Sequence, residues 1–210
     1  MTNLETRSVL TTYAEAQRYF MGEGKLNNAL ARLVTDLKEH QIDYVIIGAV
    51  ALMAYGYPRF TEDIDLIVNS NGLEKFHNEL VGLGYAPAFE GARKRLRSTT
   101  EGIPIEFIAA GGYPGDGKPK PVSFPEPSES SVEIDGVKFP TLEKLIELKL
   151  ASGMTAPDRL KDLADVQELI KIRNLSNEFA DKLDPYVREE FLKLLNAVQR
   201  GSRNDFEEQL

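Results

Sequence analysis

Cysteine is absent from the 210-residue chain. Its absence excludes a disulfide framework, a thiolate metal site and a thiol nucleophile, and it suits a reducing cytoplasm, where the chain is expected to reside. Histidine is nearly absent too: His40 and His77 are the two present, both in charged helical surroundings with no ligand partner at useful spacing. Long apolar runs are missing. No window approaches the roughly 18 uninterrupted apolar residues a spanning helix needs, so membrane insertion is not expected. Residues 1–20 carry charge throughout and lack an apolar stretch followed by a small-residue cleavage site, so no secretory leader is expected. Positive charge is in deficit, 25 Lys and Arg against 33 Asp and Glu for a formal charge of -8. A protein that coats nucleic acid with its whole surface is therefore disfavoured, although a local basic patch could still hold an RNA end.

What remains is an ordinary globular composition, 42% hydrophobic and 28% charged, long enough for a core domain with a helical appendage. The chain is organised around residues 44–68, YVIIGAVALMAYGYPRFTEDIDLIV. An apolar run ends in Gly48-Ala49, a small-residue segment follows, and Asp63-Ile64-Asp65 opens a second apolar run. Side chains alternate along a strand, so two acids one residue apart point to the same side. Neighbouring like charges repel, and a divalent cation between them is the natural compensation.

Around that stretch the reading is α+β. Residues 1–24 read as a helical extension. From Asn27, the residues Leu30, Leu33, Val34 and Leu37 recur on one helical stripe. A strand over 42–47, a short buried helix after Gly48 and a strand over 63–68 follow. The next helix spans 73–83, capped by Asn69, Ser70 or Asn71, with Leu73, Phe76, Leu80 and Leu83 on its apolar face. Residues 93–97 and 103–109 form a hairpin whose second arm carries Glu106, and a lone acid in a buried strand needs a partner. Residues 111–131, rich in Pro, Gly and Ser, read as a long surface loop. A second hairpin turns at Asp135-Gly136. Thr141 caps a helix, and the rest is helical. The expected division is 1–24, then a catalytic domain over 25–139, then a helical domain over 140–210.

Asp63, Asp65 and Glu106 are three acids on two expected strands. Hard oxygen ligands suit Mg²⁺ or Mn²⁺, which complete their shells with substrate phosphates. Two such ions about 3.5 to 4 Å apart could activate a hydroxyl and neutralise a leaving pyrophosphate. Gly48 would let a triphosphate approach the backbone. Arg93, Arg95 and Arg97 share one face, and a solvated edge strand explains them as well as an anion contact does. Arg95 or Arg97 could also pair with Glu106 across the hairpin.

Gly48-Ala49, Ala51-Leu52, Gly56, Arg59, Thr61 and Asp63-Ile64-Asp65-Leu66 resemble the nucleotidyltransferase superfamily that includes DNA polymerase beta, and specifically its AbiEii-like branch. The later stretch 145–170, with Lys149, Arg159, Lys161-Asp162 and Asp165, looks like the helical segment of the same branch. The resemblance implies a mixed sheet carrying three acids, Mg²⁺ dependence, and transfer of a nucleoside monophosphate from an NTP to an acceptor hydroxyl on an RNA end, a protein or a small molecule. It implies that Asp63 and Asp65 bind metal with Glu106 as the third carboxylate. It also implies that Gly48, Ala49, Arg59, Thr61, Lys149, Arg159 and Lys161 lie near the nucleotide. Two departures stand out: Ala49 replaces the usual Gly or Ser, and Glu106 the usual aspartate. They leave open a non-catalytic binding module, paired with a cognate toxin or antitoxin.

Overall fold

The computed structural model describes residues 24–207, with side chains to residue 201; of the helical extension expected over residues 1–24, all but Gly24 lies outside the described residues. The elements, in chain order, are α1 (Lys25–Glu39), β1 (Val45–Ile47), α2 (Gly48–Ala54), β2 (Ile64–Val68), α3 (Ser70–Glu79), β3 (Tyr85–Pro87), β4 (Arg95–Ser98) and β5 (Pro104–Ala109). A small hairpin, β6 (Ser131–Ile134) and β7 (Val137–Pro140), precedes the helices α4 (Leu142–Thr155), α5 (Leu160–Ile172) and α6 (Pro185–Glu207).

Five strands form one mixed sheet in the order β1-β2-β5-β4-β3. β2 and β5 run parallel at its centre, and the other neighbours are antiparallel. Alternation divides the sheet into two faces. One carries Leu66, Phe107, Leu96 and Tyr85, all at most 1% exposed. α3 lays Phe76 onto this face, its ring 4.7 Å from Phe107 and 4.9 Å from Tyr85 in edge-on geometry. A truncation such as Phe107→Ala in so dense a cluster costs roughly 3–5 kcal/mol. The opposite face carries Asp65 and Glu106.

The expected strand over 63–68 starts one residue later, at Ile64, which leaves Asp63 in the preceding loop. α3 begins at Ser70 because Asn69 accepts a hydrogen bond from the Gly72 amide, 2.7 Å, as an N-cap should. It ends at Glu79, so Leu83, expected on its apolar face, falls beyond the last turn and is 76% exposed. The turn at Asp135-Gly136 has φ of 50° and 79°, the paired positive values a tight hairpin needs. Thr141 caps α4 by accepting from the Lys144 amide, 3.3 Å.

α4 is buried nearly all round, with every residue from Leu145 to Gly153 out of solvent, the polar Glu147, Lys149 and Ser152 among them. Such a helix belongs at a centre, and α5 and α6 pack against it. Gly153 sets how closely α5 approaches: a Cβ there would stand 2.5 Å from the Leu163 side chain. One apolar cluster runs from α1 through the sheet to Leu195 of α6.

Candidate active site

A cavity of about 630 Å³ opens between the acid-bearing face of the sheet and α4. Gly48, Ala49, Arg59, Thr61, Asp63, Asp65, Glu106, Lys149, Arg159 and Lys161 all line it. The three acids and the seven residues expected near the nucleotide therefore stand on one wall or another of the same space, whereas Arg93, Arg95, Arg97 and Asp165 do not line it.

The floor is a row across three strands and into a fourth. Ile47 of β1 is in register with Asp65 of β2, Asp65 with Glu106 of β5, and Glu106 with Arg95 of β4. Registered partners share a face, so both carboxylates rise into the cavity. Gly48, which follows β1, holds φ at +68°, and a Cβ there would lie 3.2 Å from Asp65 Cγ and press into its carboxylate oxygen. Glycine is thus required twice over, by backbone and by space.

Burial first, and then the charges of Asp63 and Glu106, raise the Asp65 pKa from 3.8 to about 6, outweighing the opposing pull of Lys149 and Arg159. The cavity floor is a concentration of negative charge that the surrounding cations leave undercompensated. As they stand, however, the acids do not close into a cage. Among the described residues no group of three His, Cys, Asp or Glu side chains is arranged to hold a metal ion by itself. The physical reason is local: Asp63, off the strand, accepts a hydrogen bond from the Thr61 hydroxyl, and Glu106 leans toward Arg95, 3.7 Å away. The donor set nonetheless fits Mg²⁺ or Mn²⁺, which take one or two carboxylates plus phosphate oxygens and water in preference to an all-protein cage. The Arg95 contact does not quench it, since both side chains are about half exposed or more and such pairs contribute little.

The helical wall is organised by a buried ion cluster. Lys149 of α4 bonds Asp162 at 2.9 Å and Asp165 at 2.6 Å, both on α5. Ser152 donates to the second Asp162 oxygen, 2.7 Å, and Arg59 reaches Asp165 at 2.7 Å. Burial works against the charge on Asp162, but Lys149 and Ser152 outweigh it and hold its carboxyl below the ordinary value. Asp162 and Asp165 have the spacing of surface ion pairs, yet both are buried. The signal was available: they fall on the stripe of Val166, Leu169 and Ile170, where an acid must have an internal partner. Lys149 is therefore committed to two aspartates, whereas Arg159 and Lys161 are exposed on the cavity rim.

The 111–131 loop forms a further wall. Tyr113, Pro114, Gly115 and Phe124 line the cavity, and Lys120 pins the loop to α4 by donating to the Pro114 carbonyl, 2.5 Å, and to the Thr155 hydroxyl, 3.2 Å. Val122, 1% exposed, anchors it to the core. Sequence alone gave only a plain loop here, because its pinning groups lie some 35 residues apart along the chain.

This sheet and its helical companion define a nucleotidyltransferase-like α+β fold with a helical C-terminal part. Two solved structures of the antibiotic-resistance factor ANT(2'')-Ia resemble it. The one in complex with adenylyl-2''-tobramycin has 16% identity and a TM-score of 0.50, covering 83% of this chain and 97% of that one. A solution structure has 16% identity and a TM-score of 0.51, covering 83% and 95%. A nucleotidyltransferase-like protein from Paracoccidioides brasiliensis, at 15% identity, covers 70% of this chain and 76% of its own with a TM-score of 0.47. No known family profile matches the chain, and no curated protein does.

Proposed function

We propose that the chain is a metal-dependent nucleotidyltransferase that joins the nucleoside monophosphate of an NTP to an acceptor hydroxyl. The observation that carries this reading is the floor of the cavity, where Asp65 and Glu106 stand in register on adjacent parallel strands and Asp63 is near enough to help push Asp65 to about 6. Phosphoryl transfer needs little beyond positioning and neutralisation of charge. Asp63, Asp65 and Glu106 would hold the Mg²⁺ that accompanies the nucleotide, and the ion would neutralise phosphate oxygens and the departing pyrophosphate. Arg159 and Lys161, exposed on the rim, take the triphosphate, while Gly48 keeps the floor low enough for it. Lys149 acts by position: it holds Asp165, which holds Arg59 toward the site. In the transfer, the acceptor oxygen bonds to the α-phosphorus, the bond to the bridging oxygen breaks, pyrophosphate leaves, and the hydroxyl proton passes to Glu106.

The fold likeness supports this class of chemistry, and the motif resemblance favours the AbiEii-like branch within it. A second reading, nucleotide binding without turnover within a toxin and antitoxin pair, is favoured by the two departures from the family pattern, Ala49 beside Gly48 and Glu106 in place of aspartate. Release of pyrophosphate from each NTP with Mg²⁺ or Mn²⁺ in the presence of cell extract separates the two. The transfer reading requires release that Asp63→Ala abolishes. NTP binding with no release, or release unaffected by Asp63→Ala, rejects it.

A further inference from the structure

The face that carries Asp65 and Glu106 continues onto β4. Arg95 stands opposite Glu106, and Arg97, two residues on, shares that face opposite Pro104 of β5 and Ala86 of β3. The reverse face of β4 is core, with Leu96 and Ser98 each 1% exposed, whereas Arg95 and Arg97 are open to solvent. Cations on an edge strand commonly guard against strand pairing. That explanation fails here, because β3 lies outside β4 and β4 is an interior strand. Internal pairing fails as well. Arg97 makes no ion pair among the described residues, and Arg95 has only its long, exposed contact with Glu106.

The acids thus have cations on two flanks, Arg159 and Lys161 on the helical side and Arg95 and Arg97 on the sheet side. A transfer reaction brings two substrates to one set of acids. If the triphosphate takes the helical flank, the sheet flank falls to the acceptor. We propose that Arg95 and Arg97 form a docking shelf for the phosphates of a nucleic-acid strand end, whose terminal hydroxyl is thereby delivered to Glu106. The proposal rests on the transfer reading above and names its acceptor. Residues two apart on a strand stand about 6.6–6.8 Å apart, comparable to successive phosphates of an extended single strand, and the guanidinium fork matches phosphate oxygens. The formal charge of -8 confines such docking to a short footprint, since the wider field repels a polyanion.

The test uses the full chain and a short fluorescein-labelled oligoribonucleotide with a free terminal hydroxyl. Fluorescence anisotropy reads its binding across a salt series, and calorimetry with ATP and Mg²⁺ reads nucleotide binding in the same preparations. Arg97→Glu is the chief variant because Arg97 does not touch Glu106, with Arg97→Lys as the conservative control and Arg97→Gln in reserve should charge reversal lower the Tm. The expected result is oligonucleotide binding that Arg97→Glu weakens about tenfold or more and Arg97→Lys largely keeps. The salt slope should fall by about 0.7 for the one lost phosphate contact. Wild-type protein that binds ATP but no oligonucleotide, or oligonucleotide binding indifferent to Arg97→Glu, overturns the shelf and leaves the transfer reading standing. Wild-type protein that binds no ATP overturns the transfer reading, and the acceptor shelf with it.

Discussion

Asp65 is the residue whose chemistry can be read most directly. With a folded pKa of about 6 against an ordinary 3.8, it holds its proton more tightly in the folded chain than in the unfolded one. Its stabilising contribution is therefore complete below about pH 4 and is lost as pH rises through about 6. Each pKa unit corresponds to about 1.4 kcal/mol; allowing for solvent screening at a half-open site, roughly 1–2 kcal/mol is at stake. Asp65→Asn should accordingly raise the Tm near pH 7.5 and leave it nearly unchanged near pH 4, which thermal denaturation at the two pH values would check. A larger gain at the acidic pH would contradict the assignment. Gly48 offers a complementary test at the same spot. Gly48→Ala forces a side chain into positive φ, a strain on the order of 1–3 kcal/mol, and drives its Cβ against Asp65. Both a lower Tm and lost nucleotide binding are expected, and unaltered binding would show that the close approach at Gly48 is not used. The Gly48 and Asp-x-Asp spacing was legible in the sequence because a turn and a strand lie within one local stretch. What the sequence withheld was Asp63's place off the strand, a matter of one residue at an element boundary that strand alternation cannot fix.

At the scale of elements, the hidden feature is the α4–α5 cluster. Arg59 and Asp165 are 106 residues apart in sequence, and no local pattern joins them; only the packing of α5 over Gly153 does. Removing Lys149 by a Lys149→Met exchange keeps the stem but leaves Asp162 and Asp165 buried without their shared cation. A cost of about 3–5 kcal/mol is expected for such an uncompensated site, read by denaturant unfolding at neutral pH. The pH dependence has the opposite sign to that of Asp65. Asp162 is held below its ordinary pKa, so the stability it gives is present at neutral pH and fades as pH falls through the acid range. The difference between wild type and Lys149→Met should therefore shrink toward low pH. The same variant separates positioning from direct contact: if Lys149 acts by holding Asp165 and Arg59, ATP affinity should fall in step with Arg59→Ala, and the double variant should lose little more than either alone. The α4 cap, by contrast, was readable, because Thr141 needed only its own local backbone.

Across the whole molecule, the sheet and the helices that follow it supply two walls of one cavity, with the 111–131 loop as a third. A ligand that bridges those walls must stabilise all of them at once. Binding at a hundred times the dissociation constant adds about 2.7 kcal/mol to the folded state, and for a chain of this size each kcal/mol shifts the Tm by roughly 2–4 °C. An NTP with Mg²⁺ should thus raise the Tm by roughly 5–10 °C at such excess. The nucleotide without the cation should do much less, because its phosphates would then face Asp63, Asp65 and Glu106 unshielded. That contrast also depends on pH. Below about 6 the proton on Asp65 competes with the cation, so the Mg²⁺-dependent part of the shift should shrink as pH falls from about 7.5 toward 5. Differential scanning fluorimetry over ATP, Mg²⁺ and pH would decide the matter: a shift equally large without the cation, or one that grows toward low pH, would mean that the nucleotide does not sit over the acids.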